Sequence, residues 1–147
     1  MKSVVQRVKE ARVETAGAVV GRIGRGLAVL VGIGREDTEA DIDWMVEKIV
    51  NLRIFETEEG RLDRSLLQIG GSLLLVSQFT LYGDCRKGRR PSFSDAMEAS
   101  AARGFFDRFV EKARQRVASV ETGLFQTTMD VHLINEGPVT LILDSKV

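Results

Sequence analysis

The sequence predicts a single α/β domain spanning residues 1–147, and three observations carry that prediction. The N-terminal third alternates apolar and polar residues at the period of strands. Two later segments repeat apolar residues at the period of helices, and the C-terminal segment returns to strand around a Gly-Pro pair. With 44% hydrophobic residues the chain can bury a core of its own. No repeat, low-complexity tract or linker marks a second domain.

The elements follow in order. Val4 to Thr15 and Ala18 to Ile23 read as strands joined at Ala16-Gly17, and Gly26 to Gly32 reads as a buried strand. Thr38 opens a Thr-x-x-Asp cap with Asp41, and Ile42, Met45, Val46, Ile49 and Leu52 then fall on one face of a helix of about 15 residues. A short strand near Arg53-Ile54-Phe55 and a turn at Glu58-Glu59-Gly60 precede an apolar strand from Ser72 to Leu81. Phe105, Phe106, Phe109, Val110, Ala113 and Val117 define a second amphipathic helix. Two final strands flank Gly137-Pro138. Proline cannot donate to a sheet ladder, so Pro138 marks a turn, an edge or a built loop. Glycine lets backbone approach a ligand without a Cβ in the way. The dipeptide alone therefore reads either as a hairpin turn or as a backbone tool.

Charge and cysteine content exclude several classes. The 21 basic and 21 acidic residues cancel, so attraction of the whole molecule to DNA or a membrane is not expected, and an anionic partner must be held by a local patch. One cysteine, Cys85, allows no internal disulfide, and with His132 as the single histidine it leaves a zinc site short of ligands; no metal or cofactor is expected. Charged residues come too early for a secretion signal and no apolar run approaches ~18 residues, so a reduced, cytoplasmic compartment is expected.

Gly32-Ile33-Gly34 lies between a strand and a helix, as in a dinucleotide fold, but the third glycine of that pattern falls on Asp37, whose charge would repel a pyrophosphate. The P-loop pattern is absent. In Val76-Ser77-Gln78-Phe79-Thr80-Leu81-Tyr82, two hydroxyls and an amide end a buried strand, where they need hydrogen bonds or a cleft. Ser77 as a nucleophile would need a base, and His132 is the one candidate, so a thioester or peptide hydrolase using this pair stays open. Arg86-Lys87-Gly88-Arg89-Arg90-Pro91-Ser92-Phe93 is either a solvated loop or a phosphate-binding patch, with Phe93 placed to stack on a base.

Ser77-Gln78-Phe79-Thr80-Leu81, Arg89-Arg90-Pro91-Ser92-Phe93 and Asn135-Glu136-Gly137-Pro138-Val139-Thr140, in this order and spacing, closely resemble the D-aminoacyl-tRNA deacylases, once named D-tyrosyl-tRNA deacylases. The likeness extends from Gln6-Arg7-Val8 through Arg53-Ile54-Phe55 and Gly70-Gly71-Ser72 to the C-terminus. One departure is that Gly123-Leu124-Phe125 is followed by Gln126-Thr127-Thr128 before Met129, where the family commonly has small residues. The resemblance implies mainly antiparallel sheets closing toward a barrel, with two helices outside, in a homodimer. It implies hydrolysis of the ester between a D-amino acid and the 3' end of tRNA, with achiral glycine also admitted. Ser77, Gln78, Phe79 and Thr80 would form the catalytic pocket, lined further by Phe125 and Met129. Arg86, Lys87, Arg89, Arg90 and Phe93 would hold the tRNA end. Gly137-Pro138, with a cis peptide bond, would enter the partner subunit's site and reject L-substrates. Thr80 has no evident base, so water assisted by the ribose 2'-hydroxyl is the favoured attack. A non-enzymatic module binding a tRNA end or a small metabolite is the alternative.

Overall fold

The alternation at the N-terminus produces β1 (Lys2–Thr15), the 14-residue strand to which the rest of the sheet is attached. The structure, a computed structural model, describes residues 1–147. Along one edge β1 pairs antiparallel with β3 (Gly26–Gly32) over its first half and β2 (Ala18–Ile23) over its second. Along the other it pairs antiparallel with β8 (Asp130–Asp144). Ala16 and Gly17 join β1 to β2 with φ of 48° and 78°, the positive values that a tight hairpin turn requires.

β6 (Ser72–Ser77) joins β3 and β7 (Val120–Thr122) joins β6, both in parallel, giving the order β2-β1-β3-β6-β7. The sheet is therefore mixed rather than simply antiparallel, because helical connections carry the chain back to the same end before each of these strands. It curls until β2 meets β7, leaving a nearly closed barrel. Glycine permits the approach: a Cβ on Gly21 would lie 2.6 Å from the Thr122 carbonyl oxygen, and one on Gly26 would lie 1.8 Å from that of Ser72.

Two helices, α1 (Glu39–Asn51) and a longer one at Ala99–Arg116, cover one face of the sheet. The Asp41 carboxylate accepts from the Thr38 N–H at 2.8 Å, as the cap pattern predicts. Ile42, Met45 and Ile49 of α1 meet Phe106, Phe109 and Ala113 of the longer helix over Leu27, Val29, Leu73 and Leu75. Val8, Ala11, Val13, Ile23, Ala28, Leu74 and Val76 fill the inside of the curl. β6 is thus buried on both faces, which explains its unbroken apolar run.

Four features differ from the sequence reading. β4 (Phe55–Glu56) and β5 (Leu62–Arg64) form a small separate hairpin. A third helix, α2 (Leu66–Ile69), is capped by Ser65, which accepts from the Gln68 N–H at 3.2 Å, making the Ala99–Arg116 helix α3. The strand expected to reach Leu81 ends at Ser77, and Phe79–Tyr82 is a 3-10 turn. The two final strands are one, β8, whose pairing with β1 jumps from Asn135↔Val8 to Thr140↔Gln6. Gly137-Pro138 sits in that interruption, in the cis form, and not in a hairpin. No helix is long and apolar enough to cross a membrane.

The close approach at Gly26 has a measurable consequence. Gly26→Ala drives a methyl into the Ser72 backbone and should cost at least about 2 kcal/mol, lowering the melting temperature by roughly 4–8 °C. Gly24→Ala, with nothing within 4 Å of the new Cβ, should stay within about 0.5 kcal/mol. Thermal unfolding of the two variants side by side tests the closure.

Candidate active site

The site begins where β6 stops. The Gln78 N–H donates to the Val31 carbonyl at 2.7 Å, the last ladder bond before the chain turns. The turn closes with Leu81 N–H to Gln78 C=O at 3.2 Å and Gly83 N–H to Thr80 C=O at 2.9 Å. The N–H groups of Phe79 and Thr80 head this turn and have no acceptor within the chain. Such free leading amides are what a helical turn offers to an oxygen carrying negative charge. The Gln78 side-chain amide donates to the Thr80 hydroxyl, which holds both side chains beside them.

These groups open into a cleft of about 770 Å³ with a mostly apolar lining. It brings together Ser77, Gln78, Phe79, Phe93, Phe125 and Met129, six of the residues singled out in the sequence. Thr80 adjoins it through Gln78. Phe79 and Phe93 meet edge to face, with centroids 5.0 Å apart. Phe125 packs against Phe106 of α3, so the core fixes that wall. The departure at Gln126 has a structural counterpart, since Gln126 holds a positive φ of 55° and lines the cleft with Thr127 and Thr128.

The basic loop stands beside the cleft and does not line it. Two backbone bonds between Asp84 and Ser92, at 2.7 and 2.9 Å, pinch its base. Arg86 is taken up by Asp84, 2.7 Å away, and this pairing holds the Asp84 carboxyl well below the usual carboxylate range. Lys87, Arg89 and Arg90 are exposed and form no ion pair. The net free charge is therefore smaller than the run of cations suggests. The sequence signal was present, an aspartate two residues before Arg86.

Gly137-Pro138 is not part of the cleft of its own chain. Neither residue lines it, and Gly137 lies six residues further along β8 than Val131, which does. Its backbone is held by Arg7, which is 4% exposed. Arg7 donates to the Glu136 carbonyl at 3.2 Å and the Ile54 carbonyl at 2.7 Å. A Cβ on Gly137, where φ is 113°, would lie 2.7 Å from the Arg7 guanidinium. Arg7 and the cleft residue Glu98 were not singled out in the sequence. Glu98 precedes the first residue of α3, and that capping position was its only signal.

His132 is occupied elsewhere. It lies on β8 opposite Arg12, whose guanidinium approaches its Nδ1 at 3.3 Å, while its Nε2 faces Glu14 at 3.4 Å. It lines a separate groove with Lys9, Arg12 and Arg22, so the Ser77–His132 pair is not assembled within the chain. Ligand atoms of Glu14, Asp130 and His132 come within 4.8 Å of one another. A count of Cys and His does not bring out this cluster, because its other two donors are carboxylates, Asp130 on the same strand and Glu14 across on β1. Arg12 already bonds Glu14 at 2.9 Å and holds its carboxyl below the usual range.

Fold and cleft define a small α/β domain with a mostly apolar, ligand-sized cleft, and comparison with known proteins identifies its family. The family model described as D-Tyr-tRNA(Tyr) deacylase matches residues 4–144. A D-aminoacyl-tRNA deacylase of Kosmotoga olearia is 60% identical over 99% of this chain and 98% of its own length. One from Desulfitobacterium hafniense is 58% identical with the same coverage. The chain belongs to the D-aminoacyl-tRNA deacylase family. Among solved structures, a c-Myc DNA unwinding element binding protein superposes with a TM-score of 0.94 at 44% identity, covering 98% of each chain. A protein described as a probable eukaryotic D-amino acid tRNA deacylase, at 19% identity, shares the fold, with a TM-score of 0.82 over 97% of each chain.

Because His132 lies outside the cleft, His132→Ala should leave hydrolytic turnover within about tenfold of the original, whereas loss of a general base costs 10²–10⁴. Single-turnover deacylation decides between them, and a hundredfold loss in a folded variant would restore the histidine mechanism.

Proposed function

We propose that this protein hydrolyses the ester linking a D-amino acid to the 3'-terminal adenosine of tRNA, releasing the free D-amino acid and tRNA, and that glycyl esters are also cleaved. The observation that carries the reading is the pair of unpartnered N–H groups of Phe79 and Thr80 at the end of β6, opening into an apolar cleft. Water adds to the ester carbonyl, and the two N–H groups stabilise the resulting oxyanion. The bond to the ribose 3'-oxygen then breaks. The proton released by water reaches that oxygen through the neighbouring 2'-hydroxyl, so no side chain need serve as the base. Ser77 and the Gln78–Thr80 pair position the ester. Phe125 and Met129 form the wall, and Phe93 stacks on the terminal base. Lys87, Arg89 and Arg90 face the phosphates, with Arg86 in a lesser part because of Asp84.

Chirality is read by backbone. A pocket that recognised D-side chains by affinity would need different contacts for each amino acid, whereas a fixed main-chain element beside the α-carbon rejects the L-isomer regardless of side chain. Gly137-Pro138, clamped by Arg7, is that element. Its separation from the cleft of its own chain favours delivery by a second copy, in a homodimer whose sites are shared. The outer edge of β8 supports this, since β8 pairs only with β1 and exposes Ile134 and Ile142 at 48% and 80%. The setting expected for such an enzyme is the cytoplasm. The alternative, a binding module for tRNA ends or small metabolites, would bind without turnover.

Purified protein should deacylate D-tyrosyl-tRNA and glycyl-tRNA rapidly and leave L-tyrosyl-tRNA intact. Equal rates on the two tyrosyl esters would refute the chiral reading, and binding without hydrolysis would favour the module. In a separate measurement, replacing Lys87, Arg89 and Arg90 together by Ala should reduce the slope of log affinity against log salt by roughly 0.7 for each single-strand phosphate that these cations neutralise. An unchanged slope would remove the loop from the binding surface.

A further inference from the structure

Glu98 is the only ionisable side chain lining the cleft. It is also held in place. As N-cap of α3 it accepts from the N–H groups of Ser100 at 3.1 Å and Ala101 at 3.4 Å, and from the Ser100 hydroxyl. The Ser100 bonds hold its carboxyl below the usual carboxylate range, so it is anionic at neutral pH. Its distance from the ester end of the cleft follows from the sheet. The Val31 carbonyl accepts from Gln78 N–H at 2.7 Å, and the Ile33 carbonyl accepts from Met97 N–H at 3.0 Å. Those carbonyls are two residues apart on one chain segment, about 7 Å, so Glu98 follows directly on a backbone anchored that far from Gln78. This is close to the Debye length of about 8 Å at physiological ionic strength. Glu98 is exposed to solvent, so its field on a group bound in the cleft is felt most at low salt.

We propose that Glu98 is a specificity-determining residue that sorts D-aminoacyl groups by side-chain charge, disfavouring anionic side chains and favouring cationic ones. The inference rests on the deacylase reading. The α-ammonium is common to every aminoacyl ester and is attracted equally in all of them, so it does not contribute to discrimination between side chains. The side-chain charge alone differs, and a backbone device for chirality is indifferent to it. Glu98 thus adds a selectivity that Gly137-Pro138 cannot supply.

The test compares D-aspartyl-, D-tyrosyl- and D-lysyl-tRNA with the original protein and Glu98→Ser, which removes the charge while retaining a favoured N-cap residue. Comparing variants on the same tRNA cancels the contribution of the tRNA body. Relative to D-tyrosyl-tRNA, Glu98→Ser should raise kcat/KM for D-aspartyl-tRNA and lower it for D-lysyl-tRNA, each by about five- to tenfold at low salt, while the lost attraction for the α-ammonium shifts all three substrates together. Glu98→Asp, which keeps both charge and cap, should restore the original ranking. Thermal melts confirm that both variants are folded. An active enzyme whose ranking does not move with Glu98→Ser overturns the proposal and leaves the deacylase reading standing. A common change on all three substrates with their ratios unmoved also overturns it, because the charge then acts only on groups that every substrate shares. Failure of the original protein to hydrolyse any of the three overturns the deacylase reading and the proposal together.

Discussion

The hydrogen bond from Gln78 N–H to Val31 C=O, 2.7 Å long, is the interaction on which the site depends. It is the last bond of the β3–β6 pairing, and the next carbonyl along that edge, of Ile33, accepts from Met97 instead of from β6. The chain must satisfy its backbone within itself and does so by tightening into a 3-10 turn. A turn of that kind leaves its first N–H groups without partners. Those of Phe79 and Thr80 are consequently left without a partner beside the cleft. The chemistry proposed here is a by-product of ending a parallel strand at that residue.

The same logic extends to the surroundings. β6 is buried on both faces, with Leu73 and Leu75 toward the helices and Leu74 and Val76 inside the curl. Its end is therefore a rigid platform. α3 supplies a second wall through Phe106 behind Phe125, and the start of α3 sets Glu98 at the rim. Arg7 ties the residue before Gly137-Pro138 to the loop after α1 by donating to the Glu136 and Ile54 carbonyls. Both devices are fixed to the same sheet, yet within one chain they stand apart. The proposed second copy would bring them together.

Much of this was legible in the sequence where short-range patterns decide the outcome. The alternation of β1, the tight turn at Ala16-Gly17, the Gly26–Gly32 strand and the Thr38–Asp41 cap all follow from local residues. The two long helices show in the spacing of Ile42, Met45 and Ile49 and of Phe106, Phe109 and Ala113. What escaped depends on distant partners. Phe79 and Leu81 continue the apolar run of β6, and the edge beyond Val31 is taken by Met97, some twenty residues further along the chain. The parallel pairings and the Gly21–Thr122 approach involve segments far apart in the chain. Glu98 and Arg7 look like ordinary surface charges until the fold places one at the cleft and buries the other. The short α2 has a Ser65–Gln68 cap, but four residues give no period to read. The resemblance motifs found the cleft residues Ser77 to Thr80, Phe93, Phe125 and Met129, while the pairing of Arg86 with Asp84 required coordinates.

The division of the site between subunits, with amides from one and the chirality-reading backbone from the other, is tested most directly by mixing two inactive variants. Phe79→Pro removes an N–H at the first turn position, where proline is tolerated. Gly137→Val disrupts the crossing element by placing a side chain against Arg7 at a positive φ of 113°. In a mixed dimer one composite site carries both changes and the other carries neither. Equal mixing after dissociation and reassociation should therefore restore about a quarter of the original D-tyrosyl-tRNA deacylation. A mixture no more active than either variant alone, with mixed dimers demonstrably present, would contradict the shared site.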